Sequence, residues 1–452
     1  MTSRYCIIGA GSSGLAVAKN FAQAGISFDC IERQDDVGGN WYYGKPASSV
    51  YRSTHLISSK QLTEYNDFPM PDDYPEYPSQ EQACSYLRSY ARHFGLYERI
   101  EFGRSVERVE KVAPTWASLS DSRDRGAESR RHVETPKTAW QVTLDGGEVR
   151  HYAGVVIANG HNWDPNWPAY PGKFAGLALH SAHYKTPDVL RGKRVLVVGG
   201  GNSGCDIAVE SAQHAAVTFH SVRRGYHYLP KFLRGQPIDQ LGERLLRWRV
   251  PLWLRRAITS YAVKIAIGRP HDFGLPKPDH KLFETHPIIN SQVLYYLGHG
   301  SIRPKPDVAL LDGDGVRFVD GSQEPLDVIV YATGFRITFP FIDGQHLNWR
   351  HDRPDLFMNV FHPTDDSLFV VGLIQPDSGQ WGLVDYQAQL VTRFLSALAQ
   401  DSQQAGRFCR LKAGPRPDLG DGLRYIHSQR HLLEVEHFSY RERLKQLLRQ
   451  FD

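Results

Sequence analysis

Residues 5–14 read Tyr5-Cys6-Ile7-Ile8-Gly9-Ala10-Gly11-Ser12-Ser13-Gly14, a short apolar run closed by a G-x-G-x-x-G loop. A helical pattern follows from Leu15 to Ala24, and a second apolar run from Ser27 to Ile31 ends on Glu32. This is a strand–loop–helix–strand unit whose three glycines have separate duties. The first makes the turn, the second admits a pyrophosphate, and the third lets helix and strand pack closely. The start of the helix adds amide donors and a positive dipole end for phosphates. A glycine loop alone is weak evidence, but here the whole context recurs. Arg194 to Val198 leads into Gly199-Gly200-Gly201-Asn202-Ser203-Gly204, a helix to about Ala212 and a strand from Ala216 to Ser221. Duplication at that separation predicts two related nucleotide-binding domains.

The two units differ where the second strand ends. A carboxylate such as Glu32 accepts hydrogen bonds from ribose hydroxyls and repels a 2′-phosphate, which suits the adenosine of FAD. The second unit instead reads Ser221-Val222-Arg223-Arg224, with no acid. A hydroxyl and guanidinium groups suit a 2′-phosphate through charge-assisted bonds. NADPH is therefore expected there, with a pair of merely solvated arginines as the alternative.

The chain has 452 residues and a net charge of +4. That is room for two or three domains, and a charge that suits an anionic cofactor without calling for nucleic acid. Its five cysteines are odd in number and never form C-x-x-C. A disulfide framework and a dithiol reductase are both excluded on that pattern. No apolar run reaches the roughly 18 residues of a membrane helix. The first strand begins almost at Met1, so a cytoplasmic protein is expected, and no metal site is.

Residues 113–138 are polar and charge-rich and predict an exposed loop without chemistry, between strand-like stretches at 100–112 and 140–157. The segment 241–267 is basic and helical. The leading expectation is helices packed on the second domain with a solvated basic face, and a membrane-surface helix is the weaker reading. A last helix from about Tyr440 is expected to act as a surface cap.

Four further stretches bear on identity. Phe174-Ala175-Gly176-Leu177-Ala178-Leu179-His180-Ser181-Ala182-His183-Tyr184 fits F-x-G-x-x-x-H-x-x-x-Y. Gly38-Gly39-Asn40-Trp41, Tyr331-Ala332-Thr333-Gly334-Phe335 and Gly372-Leu373-Ile374-Gln375-Pro376 complete the series. In this order they resemble the flavin-containing monooxygenases, from residue 5 to about 395. The resemblance implies that NADPH reduces the flavin, that O₂ then gives a flavin hydroperoxide, and that one oxygen passes to a nucleophilic nitrogen or sulfur of a small molecule. By position it implies Gly9, Ala10, Gly11, Ser12, Ser13, Gly14, Glu32, Asn40, Trp41, Val106 and Gln375 on FAD. It implies Gly199, Gly201, Asn202, Ser203, Gly204, Ser221, Arg223 and Arg224 on NADPH. His180 lies in the linker between the domains and is expected to hold them in register rather than transfer a proton. His183 has less support for any role.

One departure matters. The family usually carries Y-x-S-x-x-S-N-S-S-K, and here the segment reads Tyr51-Arg52-Ser53-Thr54-His55-Leu56-Ile57-Ser58-Ser59-Lys60. Ile57 stands in the Asn position and neither donates nor accepts a side-chain hydrogen bond. No catalytic residue is assigned, and His55 is the one weak substitute. Baeyer–Villiger oxidation of a ketone, or an uncoupled NADPH oxidase or flavin reductase, are the alternative functions. Tyr184-Lys185, where Baeyer–Villiger enzymes tend to have Trp and then Pro or Asp, argues against the first.

The fold expected is α/β, with two doubly wound Rossmann-like domains. The FAD domain is discontinuous, 1–165 and 328–452, and an NADPH domain, 166–327, is inserted with the basic segment 241–267. Substrate and nicotinamide are expected to meet the flavin between them. A homodimer is left open.

Overall fold

The computed structural model describes residues 3–112 and 139–452, so the charge-rich stretch 113–138 lies outside the described residues. Two five-stranded parallel sheets organise the rest. In the first, Arg4–Ile8 runs between Ser27–Glu32 and Gly154–Ile157, with Ile100–Phe102 and Leu368–Val370 at the edges. Every residue of Gly154–Ile157 is buried, as befits a strand covered on both faces. The helix Ser12–Gln23 buries each residue from Ser13 to Phe21, because it lies between the sheet and a second helix, Trp381–Ala399.

Inside that sandwich sits an ion pair. Lys19 Nζ reaches Asp385 Oδ1 at 2.9 Å with both side chains almost wholly buried, and Asp67 Oδ2 at 2.7 Å. Asp385 also accepts from the side-chain amides of Asn20, Asn66 and Gln389. Such a pair is held by its full set of partners, since each charge has lost its water.

In the second sheet Arg194–Val198 lies between Val217–Ser221 and Val328–Tyr331, with Ile302–Lys305 and Leu177–His180 at the edges. The expected boundary at 328 therefore moves. Val328–Tyr331 pairs with both Leu177–His180 and Arg194–Val198 and belongs to the second sheet throughout. The chain regains the first unit only at Phe335 and Arg336, which pair with Pro165 and Asp164.

The basic segment forms two helices, Ile238–Arg247 and Leu252–Ile267. Arg249 between them has φ 52°, a left-handed turn that stops the first helix, and Pro251 caps the second. The last helix begins at His437, where the Glu436 carboxylate accepts from the backbone N–H groups of Phe438 and Ser439. It is no surface cap, because Tyr440, Leu444 and Leu447 are buried and the Tyr440 hydroxyl donates to the Met358 carbonyl.

Candidate functional site

The two glycine loops face one cavity of about 1130 Å³. That exceeds the roughly 300–1,000 Å³ that holds one small-molecule ligand. Gly9 (φ 100°) and Gly199 (φ 123°) make the turns. A Cβ on Gly14 would lie 1.8 Å from the Gly9 carbonyl oxygen, and one on Gly204 would lie 1.9 Å from that of Gly199. These third glycines let the helix rest on its strand. The second glycines are different: Gly11 meets nothing nearer than the Gly39 Cα at 3.5 Å, and Gly201 nothing nearer than the Arg430 guanidinium at 3.6 Å. Each leaves the space that a diphosphate needs.

Gly9, Gly11, Ser12, Ser13, Glu32, Asn40, Trp41, Val106 and Gln375 all line the cavity, as do Gly199, Gly201, Asn202, Ser203, Ser221, Arg223 and Arg224. Ala10, Gly14 and Gly204 do not, so their part is to support the wall from behind. The Ala10 N–H donates to Glu32 Oε2 at 2.6 Å, and the Gln34 N–H donates to Oε1 at 2.9 Å. Burial pushes the Glu32 carboxyl upward against those two bonds, and its remaining lone pairs are available to ribose hydroxyls. Asn40 Oδ1 accepts from both the N–H and the hydroxyl of Ser49, which fixes the amide and leaves its NH₂ as the donor. Trp41 meets Trp381 edge to face at 6.0 Å.

In the second unit the roles separate. The Asn202 amide is spent on structure, donating to the Pro287 carbonyl at 3.0 Å and accepting from the Ile289 N–H at 2.8 Å. Ser221 Oγ donates to the Pro306 carbonyl at 2.7 Å, and its oxygen remains an acceptor. Arg224 Nε is 2.9 Å from Asp279 and holds that carboxyl down at about 2. Arg223 is exposed and, among the described residues, has no carboxylate partner. Of the two arginines it is the one with charge to give. Arg223→Ser is expected to lower kcat/KM for NADPH about 10–100-fold, the worth of one charge-assisted contact, and to leave NADH unchanged. Steady-state kinetics with both nucleotides test this, and an equal loss for NADH would sink the assignment. Arg224→Ser should do less.

Ile57 lines the cavity with its side chain packed on an apolar cluster of Leu229, Ile238, Leu282 and Ile289. The family's amide position is therefore taken up by hydrocarbon contact. His55 is exposed on the same wall, one ring nitrogen against the Ser53 carbonyl at 2.9 Å. Ser58 and Thr63 hydroxyls pair at 2.8 Å, and the Ser59 N–H donates to Asp239 at 2.6 Å.

Several residues of the wall were not foreseen. Asp206 lines the cavity, accepting from the Tyr51 hydroxyl at 3.0 Å and the Asn290 amide at 2.6 Å, and burial raises its carboxyl. It ties the segment before Ile57 to the second unit. An acid within two turns of a phosphate loop was the signal available. Arg430, its guanidinium 5.0 Å above the Tyr226 ring and against Gly201, comes from near the end of the chain. Trp163 and His431 each present on this wall a buried ring nitrogen that has no partner among the described residues. Open second glycines and unpartnered buried donors are what two dinucleotides would fill, so the residues present fit the cofactors expected from sequence. Among the described residues, no group of side chains could hold a metal ion.

The linker histidine stands apart. His180 is fully buried between Trp167 and Phe335, accepts from the Ala182 N–H at 3.1 Å, and is not on the cavity wall. His183 is exposed and stacks on Trp167 at 6.3 Å. Lys185 Nζ donates to the carbonyls of Ser48, Val50 and Ala182, which fastens the linker to the first unit. Burial lowers His180 to about 4, and His437 in the last helix likewise. Both fall below the unfolded value of about 6.5, so the unfolded chain binds more protons in between. Stability is then full above pH 6.5 and is lost as pH falls towards 4. Linkage sets the loss at roughly 2 kcal/mol per histidine at about pH 5. Thermal unfolding from pH 7 to 5 tests it, with His180→Asn flattening the profile. An identical slope in that variant would remove the account.

The family described as flavin-binding monooxygenase-like matches residues 2–405. Flavin-containing monooxygenase 5 of Rattus norvegicus is 31% identical over an alignment of 467 residues, gaps included, that covers 98% of this chain and 82% of that protein. Among solved structures, S-allyl-L-cysteine S-oxygenase from Allium sativum superposes with a TM-score of 0.65 at 19% identity, covering 99% of this chain and 89% of that one. The OTEMO complex with FAD and NADP gives a TM-score of 0.69 at 18% identity, over 98% of this chain and 97% of that one.

Proposed function

The chain belongs to the flavin-binding monooxygenase-like family, and from that premise we propose that its cleft oxygenates a nucleophilic nitrogen or sulfur of a small molecule. It is a flavoprotein monooxygenase that uses FAD, NADPH and O₂. FAD, once reduced by NADPH, supplies the activation of O₂. The observation that carries the reading is the pair of glycine cradles opening on one cavity, which suits hydride transfer without an external carrier.

In this proposal Gly11, Ser12, Ser13, Glu32, Asn40, Trp41, Val106 and Gln375 hold FAD, with Gly9, Ala10 and Gly14 shaping its loop. Gly199, Gly201, Ser203, Ser221 and Arg223 hold NADPH, with Gly204 and Asn202 shaping theirs and Arg224 at the rim. The FAD domain comprises about 1–165 and the chain from about 335 onward, and the NADPH domain lies between them. The five cysteines are free and four are buried, which suits the cytoplasm.

The test supplies FAD-loaded enzyme and NADPH with a thioether, a tertiary amine and a cyclic ketone, and follows products by mass. A sulfoxide or N-oxide is expected. A lactone from the ketone alone would replace this reading with Baeyer–Villiger oxidation. NADPH consumed with equivalent H₂O₂ and no organic product would replace it with an oxidase.

The second reading has an observation of its own, the hydrocarbon contact at Ile57. An apolar side chain there withholds a hydrogen bond that would steady the reacting oxygen. Ile57→Asn is accordingly expected to lower the H₂O₂ released per NADPH by more than about half, since one hydrogen bond to a charged or reacting group is worth about 1.5–3 kcal/mol. A peroxide assay beside NADPH oxidation reads this, and an unchanged ratio would acquit Ile57.

A further inference from the structure

Among the described residues, three carboxylates line the cavity: Glu32, Asp206 and Asp307. Glu32 belongs to the first glycine loop, where it accepts from two backbone N–H groups. Asp307 accepts from the Tyr170 hydroxyl at 2.9 Å and the Val308 N–H at 3.0 Å. Asp206 is placed differently, one turn into the helix Asn202–His214 that follows the second loop. Its Oδ2 accepts from the Tyr51 hydroxyl at 3.0 Å and its Oδ1 from the Asn290 amide at 2.6 Å. Two accepting oxygens are the pattern of an ionised carboxylate rather than of a neutral acid. Lys231 and His55 favour that charge through space. Neither is bonded to it among the described residues, since Lys231 Nζ donates to the Leu56 carbonyl at 3.3 Å and His55 sits against the Ser53 carbonyl.

Fastening two neutral donors requires an acceptor but no charge. The charge even opposes binding, because the cavity has to admit the diphosphates of FAD and NADPH, and like charges repel. Its position shows what it can favour instead. On the second loop the diphosphate belongs at Gly201 and the adenosine at Ser221 and Arg223. The nicotinamide then has to run the other way, toward the first unit and the flavin. Asp206 stands where the helix meets that unit, through Tyr51, which lines the same cavity. When the dihydronicotinamide gives its hydride to the flavin, the flavin gains the electron pair and the nicotinamide ring is left with one positive charge. Every other group of the two cofactors is neutral or negative.

We infer that Asp206 faces the nicotinamide and favours its oxidised, positively charged ring over the neutral dihydro ring, which assists departure of the hydride. The inference rests on the placement of NADPH at the second loop proposed above. A fixed carboxylate aimed at a charge that develops during transfer acts without reorganising. Burial pushes the Asp206 carboxyl up, and a cation brought opposite it relieves that cost. Tyr51 and Asn290 act through Asp206, as positioning residues that hold its two oxygens in place.

Calorimetry of the FAD-loaded enzyme tests this by comparing NADP⁺ with tetrahydro-NADP, whose ring is neutral and gives up no hydride. Asp206→Asn keeps the shape, with its amide oxygen toward Asn290 and its NH₂ toward the Tyr51 hydroxyl oxygen. It is expected to weaken NADP⁺ by about tenfold or more and tetrahydro-NADP by less than about twofold, since an opposite charge nearby is worth about ten- to a thousandfold. Tyr51→Phe loosens the fastening but leaves the charge, and is expected to keep the wild-type ratio of the two affinities. Equal weakening of both nucleotides by Asp206→Asn overturns the inference and leaves Asp206 a fastening between the units. A Tyr51→Phe variant with the ratio of Asp206→Asn overturns it as well. Arg223→Ser checks the premise, because it should weaken both nucleotides alike. If it does so and Asp206→Asn keeps the wild-type ratio, Asp206 loses its part while NADPH stays at the second loop. If Arg223→Ser weakens neither, the placement of NADPH fails and the inference falls with it.

Discussion

Gly204→Ala is expected to slow reduction of the flavin by NADPH about 100-fold while leaving FAD in place. The added Cβ would lie 1.9 Å from the Gly199 carbonyl oxygen, an approach that neither backbone can keep. The helix Asn202–His214 has to lift from Arg194–Val198, and its first amides move off the site of the diphosphate. Overpacking of this kind costs about 1–3 kcal/mol or more. Spent on the binding loop, that is a loss of about 100-fold in the reduction rate at limiting NADPH. Gly14→Ala makes the same clash at 1.8 Å in the other loop and is expected to do the reverse, releasing FAD. Flavin absorbance of the purified variants, with anaerobic stopped-flow reduction, separates the two outcomes. If Gly204→Ala lost flavin while Gly14→Ala kept it and was no longer reduced by NADPH, the assignment of the loops would be exchanged.

The second large effect concerns stability alone. Lys19→Met removes the cation from beside Asp385, whose side chain is completely buried. The amides of Asn20, Asn66 and Gln389 remain, but a carboxylate without its counter-charge stays in a dry interior. Breaking one half of such a pair costs about 3–5 kcal/mol. Urea or thermal unfolding of the variant measures it, and Lys19→Met/Asp385→Asn is expected to recover about half of the loss, because uncompensated charge rather than lost packing is the cause. A double variant no better than the single one would point to packing.

Much of this architecture was legible because its signals are local. A glycine loop between a strand and a helix declares itself within ten residues, and the proposed choice of ligand for each loop rests on Glu32 against Ser221-Val222-Arg223 at the end of the repeat's second strand. What lay hidden depends on distant parts of the chain meeting. Arg430 against Gly201 and Tyr51 against Asp206 have no sequence spacing that could announce them. The boundary at 328 was misplaced because Val328–Tyr331 is an apolar run that either sheet could accept, and only its pairing with Arg194–Val198 decides. The basic segment was read correctly as helical and basic. Periodicity could not say that its apolar stripe of Trp253, Tyr261 and Ile265 would stand exposed, since a stripe predicts burial against something without naming what.

The pairing of Phe335 with Pro165 and Arg336 with Asp164 has a consequence for synthesis on the ribosome. The sheet between those crossings is drawn from one continuous span, Leu177 to Tyr331, and is complete as soon as that span has emerged. The sheet outside them still lacks Leu368–Val370, and the helix Ser12–Gln23 still lacks its cover, Trp381–Ala399. The part begun first is thus finished last. A nascent chain paused near residue 360 would hold a closed second sheet beside an open first one, its Gly154–Ile157 edge bare and in need of protection.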